Sequence, residues 1–153
     1  MTSFPNIFTT EISSVVIERI NKLTPETKAQ WGKMNVAQML AHCNVTYEMV
    51  YDNIHKKPNS FLRFILKKLV KPNVVNEKPY KKNNGTAPQF IINGSKIFEA
   101  EKQRLIAYIQ KTQQLGENHF DGKESLSFEI LNVTEWNNMF YKHLDHHLIQ
   151  FGV

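Results

Sequence analysis

Two helix starts constrain this chain more than any other feature. Asn35-Val36-Ala37-Gln38 and Asn132-Val133-Thr134-Glu135 are both capping boxes, in which the cap side chain takes a first-turn N–H and the N3 side chain reaches back to the cap backbone. Each opens a long apolar stripe at helical spacing. From the first box, Val36, Met39, Leu40, Cys43, Tyr47, Val50 and Ile54 line one face until Lys56-Lys57-Pro58 ends the pattern. From the second, about 100° per residue puts Trp136, Met139, Phe140, His143, His147 and Phe151 on one face of a helix ending near Phe151.

Two further long helices are expected. Ile12, Val15, Val16 and Ile20 recur at helical spacing from Thr10 to Asn21. Ser95 is placed to cap a helix running to about Thr112, with Ile97, Phe98, Leu105, Tyr108 and Ile109 inward and Gly116 closing it. Shorter pieces are expected from Thr24-Pro25-Glu26 towards Trp31, and from Ser60 to Val70. Lys71 to Gly94, rich in proline, asparagine and glycine, reads as a long crossover loop, a connection of the kind that often borders a binding site. Strand-like alternation is confined to Leu126–Leu131. The expected fold is all-α, a four-helix bundle with one long crossover, built as a single domain over residues 1–153.

Composition narrows the function classes. Hydrophobic residues at 41% and charged residues at 22% are enough for a packed core. The formal charge of +5 comes largely from Lys56–Lys57 and Lys67 to Lys82, without basic-aromatic interleaving or a recognition helix, so no nucleic-acid partner is expected. Cys43 is the sole cysteine, which excludes an intrachain disulfide or a cysteine-rich metal site and suits a reducing, cytoplasmic compartment. The first ten residues do not form a signal peptide, and Arg63, Lys67 and Lys68 interrupt the most apolar segment, so no membrane partner is expected either.

The chemistry rests on the histidines. A lone histidine in an apolar stripe is ordinarily a core residue satisfied by one hydrogen bond. His143 and His147 are two, at i and i+4, with Cβ atoms about 5–6 Å apart, so both rings can converge on one ion at metal–nitrogen distances of about 2.0–2.1 Å. His42, at the edge of the other stripe near Met39 and Thr46, is the candidate third ligand. His146 is turned about 100° from His147, and His55 and His119 fall at a helix end and in a loop; surface positions are expected for all three. Leu144-Asp145-His146 lies between the paired histidines and supplies no inward glutamate, which argues against a zinc peptidase.

The segments Trp31-Gly32-Lys33-Met34-Asn35-Val36-Ala37-Gln38-Met39-Leu40-Ala41-His42 and Tyr141-Lys142-His143-Leu144-Asp145-His146-His147-Leu148-Ile149-Gln150-Phe151-Gly152-Val153 resemble the two signature blocks of a branch of the DinB/YfiT-like superfamily. The resemblance implies a four-helix bundle, commonly dimeric, with a three-histidine metal site at His42, His143 and His147. It also implies metal-dependent chemistry with low-molecular-weight thiols, that is, a thiol S-transferase acting on a small electrophile. Three neutral imidazoles would leave one divalent ion with an open position, zinc first, with nickel, iron, cobalt or manganese also compatible. Gln38 and Gln150, one or two turns from a ligand, are candidates to orient the rings. Metal-assisted hydrolysis and a non-catalytic metal-binding stress protein are the alternatives.

Overall fold

Both capping boxes form. In the computed structural model, which describes residues 4–153, Asn35 Oδ1 accepts the Gln38 N–H at 2.8 Å and Gln38 Oε1 accepts the Asn35 N–H at 3.0 Å. Asn132 and Glu135 exchange the equivalent pair at 2.9 and 3.0 Å. Each box satisfies two donors that a helix start otherwise leaves unpaired, and losing such a cap typically costs about 1 kcal/mol.

The chain runs through α1 (Thr10–Asn21), α2 (Val36–Tyr51), α3 (Ser60–Leu69), α4 (Lys71–Val75), a single 3-10 turn at Pro88–Phe90, α5 (Phe98–Leu115), α6 (Glu117–Phe120), strands β1 (Lys123–Ser125) and β2 (Glu129–Leu131), and α7 (Val133–Gln150). The strands form one antiparallel hairpin, Lys123 opposite Leu131 and Ser125 opposite Glu129. The architecture is all-α with that small hairpin attached. The four longest helices share the core, since α1 and α2 each pack against both α5 and α7. Among the described residues no helix is long and apolar enough to cross a membrane.

The α7 stripe is the spine of this core. Trp136 and Phe140 stack at 5.5 Å, Phe120 and Phe8 close around Phe140, and Tyr47 lies flat between Phe140 at 5.1 Å and Tyr108 at 5.5 Å. Large aromatic surfaces buried this way dominate core energetics. The helix ends in a paired-bond motif, with Gly152 N–H on Ile149 O and Val153 N–H on Leu148 O. That geometry needs the positive φ of 79° at Gly152.

Several expectations are corrected. Thr24 to Trp31 holds only one turn, in which the Thr27 N–H reaches Thr24 O and Thr27 Oγ1 accepts the Thr24 N–H. The chain then extends because the Gln30 N–H pairs with Gln150 O at 2.8 Å, a bond to the end of α7 that a continuing helix would forfeit. α2 stops at Tyr51, before Lys56, and α5 starts at Phe98 with no cap from Ser95, leaving Ile97 75% exposed instead of inward. The crossover loop contains α4, whose carbonyl ends are held by α7: Lys142 Nζ donates to Asn73 O, Asn76 O and Asn76 Oδ1, and Asn138 Nδ2 donates to Val75 O. These distant donors replace the missing intrahelical partners of so short a helix. Burial drives the Lys142 ammonium down to about 8.

Candidate metal centre

The first box fixes the phase of α2 so that His42 faces inward, and the second does the same for His143 and His147 on α7. Where the two helices meet, the three rings converge. Centroids lie 4.9 Å apart for His42 and His143, 4.5 Å for His42 and His147, and 4.9 Å for His143 and His147. Among the described residues these histidines form a group whose ligand atoms all lie within 4.8 Å of one another. His42 and His147 are buried; His143 keeps some surface, but the other two imidazoles and Phe90 enclose its ring.

Each ring has its outer nitrogen held by a separate group. His42 Nδ1 donates to the Phe90 carbonyl at 2.8 Å. His147 Nδ1 donates to Gln150 Oε1 at 2.7 Å, and the Gln150 amide is fixed in turn because its Nε2 donates to Trp31 O at 2.8 Å. A carbonyl can only accept, so both rings carry their proton on Nδ1 and offer a lone pair at Nε2. His143 Nδ1 bonds Thr46 Oγ1 at 3.1 Å, and its Nε2 lies 3.0 Å from His42 Nε2. Two nitrogens that close need a proton or a cation between them. With only protons available, His143 donates from Nε2 to His42 and takes the Thr46 hydroxyl proton at Nδ1. With a cation, the Thr46 oxygen accepts from Nδ1 instead. The hydroxyl serves either tautomer because it both donates and accepts.

The donor set fits a divalent ion. Tetrahedral bonds of about 2.0–2.1 Å put ligand nitrogens roughly 3.3 Å apart, and a set of nitrogens with one pair at 3.0 Å and none beyond 4.8 Å needs only small ring movements. Outer nitrogens anchored to a carbonyl, an amide and a hydroxyl are the supports that orient metal-binding imidazoles. Electrostatics agree. Burial, followed by the neighbouring His147, His42 and His146, holds His143 well below the ordinary imidazole value. Burial takes His147 to about 3 and also lowers His42, against the Phe90 carbonyl. All three are neutral near pH 7, as metal ligation requires.

Of the two glutamines expected to orient rings, Gln150 does so. Gln38 is engaged with Asn35 and with Gly94 O at 2.9 Å, and touches no ligand ring. Thr46 and the Phe90 carbonyl escaped the sequence. Thr46 carried a signal, one turn after His42 on the same helix, whereas a backbone carbonyl delivered from 48 residues away carried none. Gly32 has a role its sequence context does not reveal: φ is +85°, and a Cβ there would stand 2.6 Å from Gln150 Nε2. Only glycine lets this strand lie against the glutamine that steers His147.

His146 stays outside the cluster, as its phase predicts, but it is not a solvated surface residue. Its ring packs edge-on against Trp31 at 5.9 Å and Tyr80 at 5.7 Å. His55 is likewise engaged, bonding Glu48 at 2.8 Å, while His119 is exposed as expected. Every carboxylate on α2 and α7 is committed elsewhere: Glu48 to His55 and Arg104, Glu135 to Lys71 and its own cap, Asp145 to Arg19.

Comparison with curated proteins and with solved structures finds no match. A family model matches residues 8–152, a span that includes both histidine-bearing helices, and by that match the chain belongs to the family described as protein of unknown function (DUF1569).

Proposed function

We propose that this chain is a divalent-metal protein of DinB/YfiT-like type, in which His42, His143 and His147 hold one ion for thiol S-transfer to a small electrophile. The convergence of three imidazoles, each tethered through its Nδ1, carries the metal-binding part of this reading. A divalent ion held by three neutral imidazoles retains its charge and an open position, and it lowers the pKa of a thiol or water bound there. Zinc suits the set first, with nickel, iron, cobalt and manganese as further candidates.

The choice of a thiol over water rests on what the protein's own groups are doing. Hydrolysis calls for a general base within hydrogen-bond reach of the attacking water, and the carboxylates of both ligand-bearing helices are engaged in other pairs. A thiol needs no such base, because its ordinary pKa near 8.5 is already close to neutrality. The reading assigns the protein to a reducing cytoplasm, where the buried thiol of Cys43 stays reduced, and allows a homodimer.

Metal analysis of protein purified without chelator, then cobalt substitution and titration with a panel of small thiols, tests both parts. Stoichiometric metal and a visible spectrum altered by one thiol class are expected. Absence of stoichiometric metal sinks the centre. A cobalt spectrum indifferent to every thiol, with metal still raising the thermal midpoint, replaces the transferase with a non-catalytic metal-stabilised protein.

A further inference from the structure

α3 lies apart from the histidine centre and has an unusual surface. None of its residues is buried. Phe61 is 74% exposed, Leu69 69% and Phe64 55%, a concentration of large apolar groups that a soluble surface ordinarily avoids. At about 100° per residue Phe61, Phe64, Ile65, Lys68 and Leu69 share one outward arc. The opposite side holds the helix to the body of the protein. Arg63 donates to Glu124 at 2.7 Å and to Ser125 O, Lys67 pairs with Glu129, and Leu66 packs against the core.

The segment that carries this arc supplies charge of one sign only. From Asn53 to Asn76 there are six cations, Lys56, Lys57, Arg63, Lys67, Lys68 and Lys71, and no Asp or Glu. Lys57, Arg63, Lys67 and Lys71 are paired with glutamates of the hairpin and α7. Lys56 and Lys68 enter no ion pair among the described residues, and Lys68 Nζ lies over the Phe64 ring at 5.9 Å. A second copy of the chain laid on the same face would set cation against cation. An apolar phase beneath a negative surface meets both requirements, because phenylalanine and leucine enter it while lysine stems lie along it and carry their charges back to the headgroups.

We propose that α3 is a surface anchor that seats the protein on an anionic phospholipid membrane. Phe61, Phe64 and Leu69 enter the acyl boundary, and Lys56 and Lys68 meet the lipid phosphates and carboxylates. This differs from the sequence expectation of no membrane partner, which rested on the lack of a spanning segment; an anchor lying in the interface needs none. So short a helix binds weakly and reversibly, and the attraction falls as salt rises.

Co-sedimentation of the full chain with phosphatidylcholine vesicles, with and without phosphatidylserine, tests the proposal. Binding only to phosphatidylserine-containing vesicles, weakened by added salt, is expected. Combining Phe61→Ser with Phe64→Ser should reduce the partition coefficient by at least about tenfold, and Lys68→Glu by on the order of tenfold. All three side chains already face solvent, so circular dichroism and metal content should not change. The proposal fails if the wild-type chain binds neither vesicle, binds both equally, or binds as well without its phenylalanines. It also fails if the phenylalanine pair holds two copies together, seen as a wild-type dimer that the double variant makes monomeric while vesicles capture neither.

Discussion

Acidification of metal-stripped protein gives the most quantitative test of the histidine cluster. His147 is held at about 3 by burial, and His143 lies well below the ordinary value for the same first cause. In the unfolded chain both return to about 6.5. The folded state therefore binds fewer protons than the unfolded state between these limits, and stability rises with pH across that window. Read downward, the contribution is complete above about pH 6.5 and is withdrawn as pH falls, at about 1.4 kcal/mol per unit for His147. By about pH 5 His147 has lost about 2 kcal/mol, against a total stability of about 5–15 kcal/mol for an ordinary domain, and His143 adds to the loss in the same direction. His42, also lowered by burial, adds in the same direction. The assay is urea unfolding of chelator-treated protein, followed by circular dichroism, at about pH 7 and about pH 5. A companion variant carrying His143→Gln and His147→Gln should lose most of the pH dependence whatever its absolute stability. An unfolding free energy that changes by less than about 1 kcal/mol over this interval, or a dependence the double variant keeps, would refute the burial argument.

His147→Ala should abolish stoichiometric binding of zinc or cobalt, whereas His146→Ala should leave it nearly intact, because the His146 ring is committed to Trp31 and Tyr80; elemental analysis of each variant decides. Gln150→Leu removes the acceptor that orients His147 and should weaken metal affinity about tenfold to a hundredfold in competition titrations. Gly32→Ala should act in the same direction, since its Cβ would stand 2.6 Å from Gln150 Nε2. Phe140→Ala removes a ring packed against Tyr47, Trp136, Phe120 and Phe8 and should cost about 3–5 kcal/mol of unfolding free energy.

The elements legible in the sequence were those whose signals are local. Asn35 with Gln38 and Asn132 with Glu135 fix helix starts within four residues, and the stripes they open fix helix phase, which is why the all-α class could be read in advance. Phase also separated His147 from His146, because one residue step turns a side chain by about 100° in any α-helix. That the rings of His42, His143 and His147 meet was an expectation from a shared face and a family resemblance; the packing of α2 on α7 brings them together. What tertiary structure alone decided involves groups made by distant backbone. The Phe90 carbonyl that holds His42 belongs to a turn 48 residues away. The Gln30 bond to Gln150 extends a segment whose own residues favoured a helix. α4 exists because Lys142 and Asn138 of α7 satisfy its carbonyls. A hydrogen bond to a distant main chain leaves no mark on local periodicity, since every residue except proline carries the same N–H and C=O. Sequence therefore named the histidines, and the fold alone determined what holds each ring in place.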